Sequence, residues 1–334
     1  MMQFLERFGT ASVSALGLHT RRYALEWLLA LTILGSALLS MYLLIAPPSP
    51  YPSGAVVVVK EGASAAAVAR ELADAGVVLH PELLRALLRA TGDTTIRAGA
   101  YRFAAPENLV SVARRLSAGV YGIPAKRITF PEGLTTLDMA HKVAAAFPSL
   151  SVSDFISEAG PYEGYLFPDT YTFQPSATAA SIVIKLQDTF LEKTESLASD
   201  IAVSGRTLSD VVIMASIIER EARRPDDRRM ISGILWNRIE KGMPLQVDAV
   251  FGYIYSRQTY SPSYADLGVD SPYNTYTNKG LPPGPICNPG LSAIDAALHP
   301  TKTKYLFYLT GRDGLMRYAT TYKGHKANLN AYLR

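Results

Sequence analysis

The chain has 334 residues, of which 48% are hydrophobic, and its formal net charge is +4. This length can bury the cores of two modest domains and still carry an anchor. The small positive excess is scattered, and no Lys/Arg-rich run stands beside a platform of aromatic residues, so a nucleic-acid partner is not expected. The single cysteine, Cys287, excludes a disulfide within the chain and a cysteine-rich metal site.

The first predicted element is an N-terminal membrane span. Residues 27–46, WLLALTILGSALLSMYLLIA, carry no charge. As a helix this stretch would be about 30 Å long, which matches the hydrocarbon core of a bilayer. A cleaved signal peptide is the alternative, but the stretch is too long for one, and Pro47-Pro48 follows in place of a small-residue cleavage site. We therefore predict an uncleaved transmembrane helix at 25–46.

The charges that flank this span predict its orientation. Arg7, Arg21 and Arg22 precede it, whereas the next basic residue after it is Lys60. The positive-inside rule then places a tail at 1–24 in the cytoplasm and the rest of the chain outside the membrane.

A small α+β module is predicted at 55–122, after a stiff Pro-rich linker at 47–54. Its elements are assigned from β-branched runs, amphipathic periodicity, a Ser64 N-cap and a Gly76 stop signal. In order they are a strand at 56–59, helices at 65–75 and 81–92, a strand at 100–103 and a helix at 109–116.

One local pattern occurs twice. Lys60-Glu61-Gly62-Ala63-Ser64 precedes Val68-Ala69, and Pro131-Glu132-Gly133-Leu134-Thr135 precedes Met139-Ala140 at the same spacing. In each copy a glycine permits a tight turn, and a hydroxyl residue caps the helix that follows. We therefore predict a second strand–turn–helix unit at 126–150.

The remainder of the chain is predicted to mix helices with irregular structure. Helices are expected at 180–197 and 208–223, and Thr207 and Asp210 have capping-box spacing at the start of the second. Beyond Met243 the chain is rich in Tyr, Pro, Gly and Asn, which is typical of long ordered loops over a sheet. The clearest late strand is expected at 305–309. The predicted fold class is α+β.

Glu219 is the strongest candidate for chemistry. It follows an apolar helical segment, 211–218, and shares a face with Ala215 and Ser216. Partial burial would raise the pKa of its carboxyl group, as a general acid requires, and the two small neighbours would leave room for a ligand. The alternative is a helix-end carboxylate paired with Arg220 or Arg223.

Glu221 lies about 200° around the helix from Glu219, and we interpret it as half of a surface ion pair with Arg224. The five histidines have no metal-ligand spacing, so no metal site and no cofactor are predicted.

Polar and aromatic residues beyond the helix form a candidate carbohydrate site, because sugar faces stack on aromatic rings while amides and carboxylates bind hydroxyl groups. The alternative is a set of loops held by their own hydrogen bonds. The candidate substrate-binding residues are Gln246, Asp248, Tyr273, Asn274 and Tyr276.

Four blocks together resemble the YceG-like family of endolytic murein transglycosylases, and His325 near the end of the chain fits the same pattern. The similarity extends from about residue 55 to residue 334. One segment departs from the family pattern, at 317–319. In order, the blocks are 163–171 (EGYLFPDTY), 215–221 (ASIIERE), 273–276 with 280–285 (YNTY, GLPPGP), and 288–290 with 296–300 (NPG, AALHP).

The resemblance implies a LysM-like module followed by a catalytic domain at 123–334, with Glu219 as the essential acid. The implied reaction cleaves the β-1,4 bond between N-acetylmuramic acid and N-acetylglucosamine in nascent peptidoglycan. It leaves a 1,6-anhydro end and so terminates glycan elongation. The implied location is the bacterial inner membrane, with a periplasmic catalytic domain and peptidoglycan synthases as possible partners.

Two alternatives stay open. A hydrolytic muramidase would use Asp248 to direct a water molecule, and its products would have reducing ends. A membrane-anchored scaffold would bind glycan for a cell-wall synthase and would tolerate the substitution Glu219→Gln.

Overall fold

The computed structural model describes residues 3–60, 62–90, 96–258 and 260–333. The chain divides into two compact units, Met1–Pro124 and Ala125–Arg334. Both units combine helices with short antiparallel strand pairs. The predicted mixed α+β class is therefore confirmed.

The first unit begins with a long helix, α1 (Gln3–Ile45). Within it, Glu26–Ile45 is long and apolar enough to cross a membrane, and its side chains are not buried by the rest of the protein. An apolar surface of this size is unfavourable in water, which suits a lipid environment.

The rest of the first unit has the order strand–helix–helix–strand–helix, and it follows the predicted elements closely. Ser64 caps the first helix by accepting a hydrogen bond from the Ala67 N–H. Residues 61 and 91–95, which include Glu61 of the repeated pattern and the predicted end of the second helix, lie outside the described residues. The elements are β1 (Ala55–Val59), α2 (Ala65–Asp74), α3 (Pro81–Ala90), β2 (Gly99–Phe103) and α4 (Leu109–Ala118).

Strands β1 and β2 pair antiparallel, with Val57 opposite Tyr101. Alternate residues of β1 are buried, so Val57 and Val59 face the core while Val56 and Val58 face solvent. The inward side chains meet buried leucines and valines of the three helices in one hydrophobic cluster. This cluster supplies the burial that a pair of short strands needs to be stable.

The second unit opens with its own core. Thr135 caps the helix after β3 in a capping box with Asp138, as the repeated pattern predicts. The single helix expected at 180–197 is interrupted after Thr194 by a 3-10 turn, Glu195–Leu197. The elements are β3 (Lys126–Thr129), α5 (Thr136–Ala146), α6 (Val152–Ala159), β4 (Thr170–Phe173), α7 (Ala179–Thr194) and α8 (Ala198–Ser204), and β3 pairs antiparallel with β4.

The second half of this unit is more helical than predicted. Three helices and a two-stranded hairpin follow Met243. The expected long loops are present, most clearly between Ile254 and Leu291, but in place of a sheet beneath them the described residues form helices and one hairpin. These helices were not predicted because two of them, Ala249–Ile254 and Leu291–Leu298, are short, and the third, Tyr322–Tyr332, contains Tyr, Gly and Asn, which are typical of loops. The elements are α9 (Leu208–Glu221), α10 (Pro225–Glu240), α11 (Ala249–Ile254), α12 (Leu291–Leu298), β5 (Phe307–Thr310), β6 (Met316–Ala319) and α13 (Tyr322–Tyr332).

Helix α9 lies at the centre of the larger core. The predicted capping box is present, because Thr207 Oγ1 accepts from the Asp210 N–H and Asp210 accepts from the Thr207 N–H, each at 3.1 Å. Its residues from Val211 to Ile218 are all buried. The helix packs against α10, α11 and α12. Its last turn is thereby held rigidly, with Glu219 and Glu221 on different sides.

Candidate active site

Glu219 lies where three elements of the second unit meet. One carboxylate oxygen accepts a hydrogen bond from Arg228 of α10 at 2.5 Å, and the other accepts from the backbone N–H of Gly290, just before α12, at 3.0 Å. Its side chain is 6% exposed. The partner is Arg228 and not the predicted Arg220 or Arg223, because α10 brings that guanidinium group across the end of α9.

Burial raises the pKa of Glu219, and the Gly290 N–H and the Arg228 charge oppose that rise. Glu132 adds a second carboxylate, 3.8 Å from Arg228. The expected ligand space beside Ala215 and Ser216 is not there. Both residues are fully buried, and Ser216 Oγ accepts from the Ile286 N–H at 3.0 Å. Glu219 therefore links three elements through an ion pair and a backbone hydrogen bond.

Glu221, on another side of α9, lines a cavity of about 570 Å³, here called the Glu221 cavity. Tyr308 donates a hydrogen bond of 2.9 Å to its carboxylate. The interpretation of Glu221 as a surface partner of Arg224 is wrong, since Arg224 pairs with Asp227 at 3.9 Å. The cavity is lined by Glu221, Arg238, Gln246, Asp248, Tyr276, Phe307, Tyr308, Leu309, Thr310, Tyr322, His325 and Leu329.

The electrostatics of this cavity favour a protonated acid. Burial raises the pKa of Glu221 to about 7, and the negative charge of Asp248 acts in the same direction. Hydrogen bonds from Tyr308 and from the Ala249 backbone only partly offset these effects. Glu221 can therefore hold a proton near neutral pH while facing a space large enough for sugar units.

Three of the five predicted substrate-binding residues line the Glu221 cavity: Gln246, Asp248 and Tyr276. Tyr276 donates a hydrogen bond of 2.5 Å to Asp248, so the two form a fixed pair. Gln246 accepts from Arg238 at 2.9 Å and has a φ of 52°, a left-handed conformation that is unfavourable for glutamine. Such backbone strain concentrates at functional sites.

The other two predicted binding residues lie elsewhere. Asn274 is fully buried, and its amide nitrogen donates to the carbonyl oxygens of Leu267 and Val269. The amide nitrogen of Asn274 is therefore already hydrogen-bonded within its own loop. Tyr273 packs its ring against Tyr253, with ring centroids 4.9 Å apart.

The sequence did not predict a role in the site for several residues that line this cavity, among them Glu221, Arg238, Tyr308 and His325. Helical spacing did show that Glu221 and Glu219 lie on opposite sides of the helix, but it could not show which residues or cavities lie next to each of them. His325 belongs to the blocks that resemble the known family, and this was the one signal that could have pointed to the C-terminal helix.

A second cleft, of about 360 Å³, lies beside Glu163. Glu163 accepts hydrogen bonds from the Thr136 N–H and from Asn288, both at 3.1 Å. Burial raises the pKa of this carboxyl group to about 7. Asn288 also holds the backbone N–H groups of Gly164 and Leu166, each at 2.9 Å, so Glu163 lies in a hydrogen-bonded junction of the fold.

Comparison with known proteins agrees with the resemblance of the sequence blocks. A model of the YceG-like family matches residues 57–331. A Bacillus subtilis protein named endolytic murein transglycosylase is 31% identical over 305 residues, which cover 82% of this chain and 84% of that protein. A Streptococcus pneumoniae protein of the same name is 26% identical, and the match covers 81% of this chain and 57% of that protein.

A solved structure supports the same assignment. The crystal structure of a YceG-like protein from Listeria monocytogenes superposes with a TM-score of 0.57 at 28% identity, covering 82% of this chain and 99% of that one. The family match spans most of the chain and includes both compact units. The chain belongs to the YceG-like family.

Proposed function

We propose that this chain is an endolytic lytic transglycosylase of peptidoglycan. It cleaves the β-1,4 bond between N-acetylmuramic acid and N-acetylglucosamine in nascent strands and leaves 1,6-anhydro ends, which terminates glycan elongation. The observation that carries the proposal is the Glu221 cavity, where a carboxyl group with a pKa of about 7 faces polar and aromatic side chains. The names of the relatives support it.

The proposed mechanism needs one acid. Glu221 gives its proton to the glycosidic oxygen, and the bond from that oxygen to the muramic C1 breaks. The C6 hydroxyl of the same sugar then attacks C1, and the Glu221 carboxylate takes up the hydroxyl proton. Intramolecular attack gains from proximity. Asp248, fixed by Tyr276, stabilises the positive charge that develops at C1.

Glu219 was the acid predicted from the sequence, and that role stays a prediction. Burial raises the pKa of Glu219 as well, but the ion pair with Arg228 opposes that rise, and both of its oxygens are already bound within the protein. The geometry therefore supports Glu221 as the acid better. Glu219 in this proposal is a positioning residue that fixes the end of α9, and hence Glu221.

The experiment compares Glu221→Gln with Glu219→Gln, two identical changes two positions apart. Each detergent-solubilised variant is incubated with uncrosslinked glycan strands, and the products are identified by mass spectrometry. We expect anhydro-ended fragments from the unaltered chain, none from Glu221→Gln, and a reduced yield from Glu219→Gln. Thermal denaturation checks that both variants fold.

Each other outcome has a distinct meaning. Loss of cleavage in folded Glu219→Gln, with cleavage kept in Glu221→Gln, would return the acid role to Glu219. Reducing-end products would favour the muramidase, for which Asp248 lies in the same cavity as Glu221. Glycan binding without cleavage by any of the three proteins would favour the scaffold.

We also propose the domain arrangement and location that the resemblance implies. Residues 1–24 are a cytoplasmic tail, 25–46 an inner-membrane helix, 47–54 a linker, 55–122 a LysM-like module and 123–334 the periplasmic catalytic domain. The apolar segment Glu26–Ile45 and the strand–helix–helix–strand order of β1 to β2 support this arrangement. Binding to a peptidoglycan synthase would place the enzyme at the growing strand.

A further inference from the structure

One wall of the Glu221 cavity has no part in the proposed mechanism. It is formed by helix α13 and by Phe307 and Leu309 of strand β5, whose Tyr308 instead binds Glu221. Tyr322, His325 and Leu329 are spaced three and four residues apart on α13, so they share one face of the helix, and all three line the cavity. Phe307 of β5 lies against this face, with its ring 5.4 Å from that of His325 and nearly parallel to it.

Two buried nitrogen atoms of this region have no hydrogen-bond partner in the described part of the chain: Arg238 Nε and His325 Nδ1. Arg238 is 5% exposed. Its terminal nitrogens are already used, by the Leu245 carbonyl oxygen at 2.6 Å and by Gln246 at 2.9 Å. A buried polar atom without a partner is costly, and a ligand that turns aside the covering side chains of the cavity wall can recover that cost by bonding to the atom.

The chemistry of the two atoms limits which functional groups a matching ligand can carry. A guanidinium N–H only donates, so Arg238 Nε needs an acceptor. Burial and the nearby Arg238 charge lower the pKa of His325, so its ring is neutral at neutral pH and one ring nitrogen can accept. Leu309 and Leu329 add apolar surface to the same cavity. The matching ligand has a carbonyl oxygen, an N–H and a small apolar end.

We propose that Arg238 and His325 form a subsite for the acetamido group of an N-acetylated sugar. Arg238 Nε donates to the acyl oxygen, His325 Nδ1 accepts from the amide N–H, and the methyl group packs against the apolar wall. A hydroxyl group in place of the acetamido group is shorter and does not reach the apolar wall. The subsite rests on the proposed function, because it requires glycan in the Glu221 cavity.

The test measures binding by calorimetry, using the full chain in detergent with Glu221→Gln to prevent turnover. The probes are chitotetraose and cellotetraose, which are both neutral and β-1,4-linked and differ in carrying an acetamido or a hydroxyl group. We expect roughly tenfold tighter binding of chitotetraose, as one buried hydrogen-bonded group commonly gives. His325→Phe should remove this preference and leave cellotetraose binding unchanged.

Two further variants serve as controls. His141→Phe makes the same change at an exposed histidine of α5 and should keep the full preference. His325→Gln retains a hydrogen-bonding group and should keep part of it, which guards against a folding defect in His325→Phe. Equal binding of the two sugars, no binding of either, or an undiminished preference in His325→Phe would overturn the subsite.

The subsite and the reaction can fail separately. Acetamido preference without cleavage of glycan strands by the unaltered chain would leave the subsite standing and remove the transglycosylase proposal. Cleavage without any preference between the two tetrasaccharides would support the transglycosylase proposal and overturn the subsite.

Discussion

Glu221 and Glu163 are partly buried carboxyl groups whose pKa values are both raised to about 7, but their surroundings differ. Glu221 faces a cavity, with Tyr308 as its side-chain partner. Glu163 is bound within the fold by Thr136 and Asn288. The same shift in pKa lowers stability as pH rises in both cases, and at Glu221 alone is it also expected to affect activity.

Cleavage is expected to depend on pH through Glu221. A general acid must carry its proton, and a carboxyl group with a pKa of about 7 loses it as pH rises through 7. The rate under saturating substrate should be maximal below pH 7 and fall about tenfold per pH unit well above it. Initial rates between pH 5 and 9 test this, and a rate still rising at pH 9 would exclude Glu221 as the acid.

Stability is expected to depend on pH through Glu163. Its pKa in the folded state exceeds the ordinary value of 4.5, so the folded state holds the proton more tightly. The stabilisation is complete below pH 4.5 and is lost as pH rises towards 7. Glu163→Gln cannot titrate, so at pH 8 it should be more stable than the unaltered chain, by up to about 3 kcal/mol.

Thermal denaturation of the solubilised chain between pH 5 and 8 measures this effect. Glu158→Gln, at an exposed position of α6, is the matched control and should keep the original pH dependence. An equal fall in melting temperature for all three proteins would show that Glu163 does not control this dependence.

At the residue scale, sequence patterns predicted the burial of the apolar part of α9 well and the surroundings of its two carboxyl groups poorly. The apolar run before Glu219 correctly indicated a buried helix whose end desolvates a carboxyl group. The hydrogen-bond partner of Glu219 is Arg228, 9 positions later in the chain, and the partner of Glu221 is Tyr308, 87 positions later. Periodicity in one helix carries no information about such partners.

Among the elements, the turn at Gly164 combines two constraints. Its φ of 88° is left-handed, and a Cβ there would clash with Pro285 and lie 2.9 Å from Val212. Gly205, after α8, has a similar φ of 72° but nothing within 4 Å of its Cβ position. Backbone strain is therefore shared by the two positions, whereas close packing occurs at Gly164 alone.

Gly205→Ala should cost about 1 kcal/mol of unfolding free energy, from strain alone. Gly164→Ala should cost about 2 kcal/mol more, because the added methyl group forces Pro285 and α9 apart. Chemical denaturation of both variants measures the difference. Equal losses would mean that the 163–171 segment moves freely away from α9.

The sequence predicted helix starts more reliably than strand limits. Ser64, Thr135 and Thr207 each cap a helix where expected, because capping is a local interaction. The last hairpin begins at Phe307 and not at residue 305. Asn237 of α10 binds the carbonyl oxygens of Thr303 and Tyr305, which directs that segment towards α10.

For the whole molecule, the proposed orientation can be tested directly. The basic residues before the span and the apolar segment Glu26–Ile45 predict that everything after it is exported. A C-terminal alkaline phosphatase fusion should be active and a C-terminal green fluorescent protein fusion dark. The opposite pair of results would place the catalytic unit in the cytoplasm.

The division of the chain into elements could largely be predicted, and the assembly of the cavity could not. Its lining comes from α9, α10, the loops before and after α11, strand β5 and α13. Glu221 and His325 are 104 positions apart in the sequence. Contacts of such long range depend on how the core packs, and local propensity does not encode them.

The contribution of α13 to the cavity has a consequence for biosynthesis. On the topology proposed above, a chain that is synthesised from its N-terminus and anchored by α1 exports Leu329 after every other lining residue. Glu221 has then already crossed the membrane, but the wall that faces it is missing. On the proposed topology and mechanism, the newly made protein is therefore expected to stay inactive towards glycan until its translocation is almost complete.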